Sequence, residues 1–284
     1  MKKSVCLALL LTLLMIVSAC AEGLTPIPWD AKTSPNLPKK ENYLPDQAGY
    51  HDDSLDVRVE TFRRDDTTVM AVHVTIQDPS QLRTVVMGGT KVAPIAAMAK
   101  REHAVLAING DYYAFHGQGI VVRNGKQLRN RPNPGRDTLI IDDQGDFTIL
   151  HPSSKESFEA FQGKVMQAFC FGPGLVVDGE ALTDLTDLTI NNGKSRKTQR
   201  MALGQTGPLS YLILTCEGPE NKGSLGFDLL QMAQLCKDMG CINAYNMDGG
   251  SSCTVVLNNK KINALSSGKV RSISDAVVFD TLVP

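Results

Sequence analysis

Four two-residue turn signals cut most of this chain into short apolar runs, and they leave room for little except antiparallel β structure. Asn124-Gly125 lies inside "GIVVRNGKQLRN", Gln144-Gly145 inside "TLIIDDQGDFTIL", Asp178-Gly179 inside "GPGLVVDGE" and Asn258-Asn259 inside "TVVLNNKKIN". Pairs of this kind, flanked by apolar runs, are hairpin connections. "TVMAVHVTI" alternates, with Met70, Val72, Val74 and Ile76 on one face and His73 solvated on the other, so it predicts a half-buried strand. "AVLAI" (104–108) is continuously apolar, as a fully buried strand requires. "QRMALG" and "LSYLILTCEG" predict two strands joined through Thr206-Gly207-Pro208, and "CINAYNM" and "DAVVFDTLV" add two more. Helices are few. One short helix follows Pro94, and a second, capped by Ser153 with Glu156, spans about 154–161. The clearest lies in "GFDLLQMAQLCKDMG", where Leu229, Met232, Ala233 and Cys236 form an apolar stripe that stops at Gly240. With no internal repeat, the expectation is a single α+β domain over 51–284: a mixed or antiparallel β-sheet core, several hairpins and a few packed helices.

The first residues carry an address rather than a fold. Lys2 and Lys3 precede an apolar run at 5–17 and then small residues, the pattern of a secretory signal over 1–19. That run is short for a membrane span. "VSAC" (17–20) resembles the bacterial lipoprotein box, which implies cleavage before Cys20 and a lipid on its sulfur. Cleavage after Ala21, giving a secreted protein, is the alternative. Residues 20–50 contain Pro26, Pro28, Pro35, Pro38 and Pro45 and predict an extended, lipid-anchored linker on the outer face of the cell membrane. The membrane, through that lipid, is thus one expected partner. Nucleic acid is not, because 29 basic and 30 acidic side chains leave a net charge of -1 with no Lys/Arg block. Outside the export segment, Cys170, Cys216, Cys236, Cys241 and Cys253 are odd in number and form no C-x-x-C pair, which argues against an all-cysteine zinc site. Cys236, on an apolar helix face, is expected as a buried thiol. No cofactor and no metal ion is expected.

Three acids stand immediately beyond apolar runs, each beside glycine: Asp111 in "NGD", Glu217 in "EGP" and Asp248 in "DGG". Ends of buried strands hold polar groups rigidly at a cleft, and adjacent glycine lets a ligand approach the backbone. Each acid alone is also an ordinary turn residue. "NMDGGSSC" (246–253) is harder to explain so, since a surface turn does not need five turn-type residues behind one another. Paired carboxylates suit glycoside cleavage, as acid with base or acid with nucleophile. Backbone amides at 249–252, with the hydroxyls of Ser251 and Ser252, suit phosphate oxygens, and Arg200 could grip the same anion or be a surface charge. A serine nucleophile is disfavoured, because the stretch lacks a G-x-S-x-G elbow and no histidine lies in a partner motif.

An ordered series of motifs resembles the phosphodiester glycosidase family, whose bacterial members are often described as exopolysaccharide-related. The series comprises "INGDYY" (108–113), "GIVVRNGK" (119–126), "FGPGLVVDG" (171–179), "RMALG" (200–204), "CEGPENKGSLGFDLLQMAQL" (216–235), "NAYNMDGGSSCTVVLN" (243–258) and "IN" (262–263). The resemblance implies hydrolysis of the bond between a sugar C1 and a phosphodiester oxygen, with a carbohydrate phosphodiester in envelope or extracellular polysaccharide as substrate. It implies a pocket lined by Asn109, Asp111, Arg200, Glu217, Asn246, Asp248, Gly249 and Gly250. In that pocket Asp248 would be nucleophile or base, Asp111 or Glu217 the proton donor, and Arg200 with the glycine amides the phosphate grip. The chain departs from the family pattern at Glu217, where Asp is usual, at Gln199 and Met201 around Arg200, and at Ser251, where a third glycine often stands. The alternative reading is a non-catalytic glycan-binding or exopolysaccharide-assembly lipoprotein.

Overall fold

Among the described residues, hairpins chain the sequence into three sheets, and the way these stack decides where the strand ends meet. The structure, a computed structural model, describes residues 24–186, 195–264 and 269–284. The signal segment, Cys20, residues 187–194 and residues 265–268 lie outside the described residues.

The largest sheet has eight strands in the order β1 (Gly49–His51), β2 (Leu55–Arg64), β3 (Thr67–Ile76), β14 (Ser210–Cys216), β13 (Met201–Gly207), β15 (Asn243–Met247), β11 (Gly174–Val177) and β12 (Glu180–Ala181). A second, five-stranded sheet runs β7 (Lys126–Arg131), β6 (Gly119–Arg123), β10 (Val165–Phe169), β8 (Thr138–Asp142), β9 (Phe147–Leu150). The third runs β17 (Lys260–Lys261), β16 (Val255–Leu257), β5 (Leu106–Asn109), β18 (Asp275–Phe279), β4 (Leu82–Val86). Every pairing between these strands is antiparallel. The α+β expectation holds, with the sheets antiparallel throughout.

The main core lies between one face of the large sheet and the two smaller sheets. Val72, Val74 and Ile76 of β3 and Leu203 of β13 meet Ile108 of β5, Ile141 of β8 and Phe279 of β18 there. The opposite face of the large sheet is covered by α3 (Leu229–Asp238), whose Leu229, Met232, Ala233 and Cys236 are buried as the stripe predicts. Asp228 caps that helix: its carboxylate accepts from the Gln231 amide at 2.8 Å, one of the orphan donors of a first helical turn. On the far side of the third sheet, α1 (Ile95–Glu102) buries Ile95, Met98 and Ala99. Each such Leu, Ile or Met side chain contributes about 1.5–3 kcal/mol when fully withdrawn from water.

The structure corrects three expectations. The short helix α2 (Lys155–Glu159) is capped by Ser154 with Ser157, not Ser153 with Glu156. The Ser153 hydroxyl is engaged instead with Thr138 Oγ1 at 2.7 Å. β13 runs on through Gly207, so its turn to β14 consists of Pro208 and Leu209, the latter at φ 52. The larger correction concerns residues 24–50, which are docked rather than extended as a free linker. Ile27 is 1% exposed. Its amide donates to Ser80 Oγ at 2.9 Å, the Ala31 carbonyl accepts from Arg83 Nη1 at 3.2 Å, and β1 pairs with β2 across the supposed boundary at 50. The prolines at 26–45 disfavour ladder pairing there but do not prevent an apolar side chain from being buried.

Ile27→Ala is therefore expected to lower the unfolding free energy by about 2–5 kcal/mol in a denaturant titration, where a solvated linker would show no change.

Candidate functional site

The site is assembled where β5 and β15 end side by side on different sheets. β15 belongs to the large sheet and β16 to the third, next to β5, so residues 248–254 must arch from one sheet to the other. Asn109, the last residue of β5, clasps both feet of that arch. Its Nδ2 donates to the Asp248 carbonyl at 2.8 Å and its Oδ1 accepts from the Thr254 amide at 3.0 Å. Asn109 is thus a buried positioning residue with both amide atoms engaged, not a group offered to a substrate.

Asp111, two residues further on, is 0% exposed. Its Oδ1 accepts from Arg123 Nη2 at 2.7 Å and its Oδ2 from the Cys170 amide at 2.8 Å. Arg123 also donates through Nη2 to Asp275 Oδ2 at 2.9 Å, and its guanidinium lies 4.3 Å from the Phe169 ring centroid. Burial works against the Arg123 charge, but the two carboxylates outweigh it and hold its pKa above the ordinary value. One guanidinium cannot neutralise both acids, and burial, aided by Asp111, pushes Asp275 up to about 6 although Arg123 opposes the rise. Gly110 has to be glycine, since a Cβ there would collide with the Asp275 carboxylate. The expectation that Asp111 donates a proton to substrate is corrected accordingly: both its oxygens are occupied inside the protein.

Asp248 is different. It is half-buried at the start of the arch. Burial raises its carboxyl above the usual carboxylate range, the Ser252 hydroxyl and the charge of Arg271 pull it back, Asp111 raises it further, and the Gly249 amide lowers it. Arg271 is exposed and donates from Nη1 to Ser252 Oγ at 3.3 Å. Asp248, Ser252 and Arg271 thus form one cluster, with the charge of Asp111 felt from below. Half of the expected amide cradle is not on offer: Gly250 N donates to the Gln199 carbonyl at 2.9 Å and Ser252 N to the Gly249 carbonyl at 3.1 Å. Gly249 is required by close approach, because a Cβ would lie 2.6 Å from the Gln199 oxygen. Ser251 is half-buried on the same turn.

The remaining expected residues face elsewhere. Arg200 Nε donates to the Phe227 carbonyl at 3.1 Å and its Nη2 to the Arg196 carbonyl at 2.9 Å, on the α3 side of the sheet. Burial lowers its pKa, while Cys216 and Asp228 oppose the change. The cation beside Asp248 is Arg271, which no motif singles out. Asn246 donates from Nδ2 to the Gly172 carbonyl at 2.8 Å, fixing the "FGPG" turn, and its buried Oδ1 has no partner. Glu217 lines a separate cavity of about 380 Å³ with Gln199 and Thr215, and its Oε2 accepts from Ser224 Oγ at 2.7 Å. Gln199 joins the two regions, with its carbonyl on the arch and its side chain on the cavity. The described cysteines are all buried and free, Cys236 against Cys241.

A family model described as phosphodiester glycosidase matches residues 102–280. A Bacillus subtilis (strain 168) protein described as SPbeta prophage-derived uncharacterized protein YomE is 27% identical over 201 residues, 68% of this chain and 30% of that protein. The chain thus spans less than a third of that relative's length. Among solved structures, the zebrafish N-acetylglucosamine-1-phosphodiester alpha-N-acetylglucosaminidase catalytic domain, auto-inhibited by its pro-peptide, is similar at TM-score 0.64 and 19% identity, over 81% of this chain and 85% of that one. A hypothetical protein from Synechocystis is similar at TM-score 0.63 and 14% identity, over 79% and 62% respectively. At these identities the two structures show a shared fold.

Arg123→Met leaves two buried carboxylates facing each other and is expected to cost about 3–5 kcal/mol of stability at neutral pH. Adding Asp111→Asn and Asp275→Asn should recover part of that loss in the same thermal or denaturant melt.

Proposed function

Because the chain belongs to the phosphodiester glycosidase family, we propose that it hydrolyses the glycosidic bond of a sugar-1-phosphodiester at the Asp248–Ser252–Arg271 cluster. The observation that carries this reading is the half-buried Asp248 carboxyl, raised by burial, with the Arg271 cation on the neighbouring hydroxyl. A carboxylate made more basic by burial is a better proton acceptor or nucleophile. Asp248 acts on the sugar side, attacking C1 or taking the proton of the attacking water. The C1–O bond breaks and its electron pair leaves with the phosphate, which departs as a phosphomonoester. Where Asp248 attacks, water then displaces its carboxylate from C1, so that either route ends in free sugar. A phosphate is already a fair leaving group, so a cation and a hydroxyl at its oxygens stabilise the charge that develops there. Arg271 and Ser252 take that role, in place of Arg200. Asp111 acts through Asp248, as a fixed negative charge beneath it that keeps its proton affinity high.

The export signal and the "VSAC" box support an extracytoplasmic, lipid-anchored protein acting on envelope or secreted polysaccharide, with residues 24–50 holding the domain close to its anchor. A glycan-binding protein without turnover is the competing reading, and a panel of sugar-1-phosphodiesters separates the two. Release of free sugar supports hydrolysis. Binding without release, across the panel, supports the other.

Asp248→Asn is expected to abolish sugar release while the fold is kept, and a variant with full turnover would remove Asp248 from the mechanism. Arg271→Ala is expected to lower kcat by about 100- to 1,000-fold, as removal of one charge-stabilising donor does.

The reaction needs ionised Asp248, whose folded-state pKa is raised. Activity should therefore fall on acidification at a pH above the ordinary aspartate range, near 3.9. The acid limb of a kcat/KM profile measures it, and removing the Arg271 cation should move that limb further towards neutral pH.

A further inference from the structure

Two of the described cysteines meet where α3 ends. The helix stops in a Schellman turn: Gly240 N donates to the Lys237 carbonyl at 2.9 Å, Cys241 N donates to the Cys236 carbonyl at 3.0 Å, and Gly240 takes φ 84, which glycine adopts without strain. Such a turn carries the residue after the glycine back over the helix end, where its side chain packs on the one five positions earlier. Here those two residues are Cys241 and Cys236. Their thiols are hydrogen-bonded to each other, with Cys236 0% and Cys241 4% exposed. A Cβ on Gly204 of β13 would lie 2.5 Å from Cys241 Sγ, so glycine there leaves the space that the thiol fills.

The other described cysteines are held apart from this pair. Cys170 follows β10 in the second sheet, with its Sγ 3.7 Å from Arg129 Nη2 and 3.8 Å from the Gln118 carbonyl. Cys253 lies in the main core, on the opposite face of the large sheet, with its Sγ 2.8 Å from Thr215 Oγ1. Cys216 shares the α3 face, but its Sγ accepts from the Arg200 amide at 3.3 Å and meets the Thr198 carbonyl at 3.5 Å. A disulfide needs Cα atoms roughly 4.4–6.8 Å apart. The direct backbone bond from Cys241 to Cys236 keeps those two residues within that reach.

We propose that Cys236 and Cys241 are a disulfide-forming pair, closed when the chain meets an oxidising thiol–disulfide system outside the cytoplasm. The compartment rests on the export reading above. The pairing rests on the helix end. The oxidant is itself a disulfide. One thiol of the pair, as thiolate, attacks a sulfur of the oxidant, whose first thiol leaves; the other then attacks the mixed disulfide, and the second oxidant thiol leaves. Two protons and two electrons pass to the oxidant, and one S–S bond replaces another. Access comes from the helix end, where Lys237, Asp238, Gly240 and Ile242 are exposed and terminal turns fray. The bridge pins the last turn of α3 to the segment that enters β15, the strand that leads to Asp248.

The test equilibrates the full chain with reduced and oxidised glutathione, blocks the remaining thiols with N-ethylmaleimide in denaturant, and maps tryptic peptides by mass spectrometry. The oxidised chain should carry a bridge between the peptide ending at Lys237, which holds Cys236, and the peptide beginning at Asp238, with fragment ions placing it on Cys241 and not Cys253. It should also melt about 4–8 °C above the reduced chain, as closure of a short loop implies. Cys241→Ala should abolish both the bridge and the response of melting to reductant, and Cys236→Ala provides the same readout should the first variant fold poorly. Cys236 and Cys241 both blocked after oxidation, a bridge from either to another cysteine, or a melting response that persists in both alanine variants would each overturn the proposal. A pair that closes in glutathione, yet is recovered with both thiols free from the producing cell, leaves the pairing standing and removes the export reading.

Discussion

A single guanidinium fixes the geometry on which the site depends. Arg123 ends β6 in one sheet and is buried against Asp275, which opens β18 in another, and against Asp111, which follows β5. Its Nη1 also donates to the Val122 and Ala168 carbonyls, so the cation is satisfied on every side. Burying three charges is expensive, and such a cluster survives only where geometry is tight and the remaining donors and acceptors find partners. The consequence is positional. The second and third sheets cannot slide past each other without uncovering a charge, and the end of β5 is held where the 248–254 arch has to land.

Asn109 converts that fixed strand end into a shaped arch. With its amide bonded to residues 248 and 254, the intervening turn has little freedom, and Gly249 and Gly250 let it press against Gln199. Asp248 is thereby left half-buried at the rim, with protein on one side and Arg271 on the other. The same carboxylate type thus takes two states a few residues apart in space: Asp111 paired and inaccessible, Asp248 unpaired by any buried cation and raised. Environment, not residue type, separates a structural acid from a reactive one.

How much of this was legible follows from the kind of signal each residue emits. Hairpin turns and the α3 stripe are local, and the structure keeps Asn124-Gly125, Asp178-Gly179 and Asn258-Asn259 at their turns with positive φ at Asn124, Asp178, Asn258 and Asn259. The caps and the β13–β14 turn were off by a residue or so because adjacent serines, or Gly and Pro, are near-equivalent in sequence and only tertiary hydrogen bonds choose between them. The glycine-flanked acids marked strand ends correctly, but what each acid meets is set by long-range pairing. Arg123 closing "GIVVR" and Asp275 opening "DAVVF" did carry a clue, as charges abutting fully apolar strand runs. Arg271 carried none, and Arg200, just before β13, turns its side chain to the face of the large sheet that α3 covers, as Ala202, of the same parity, does.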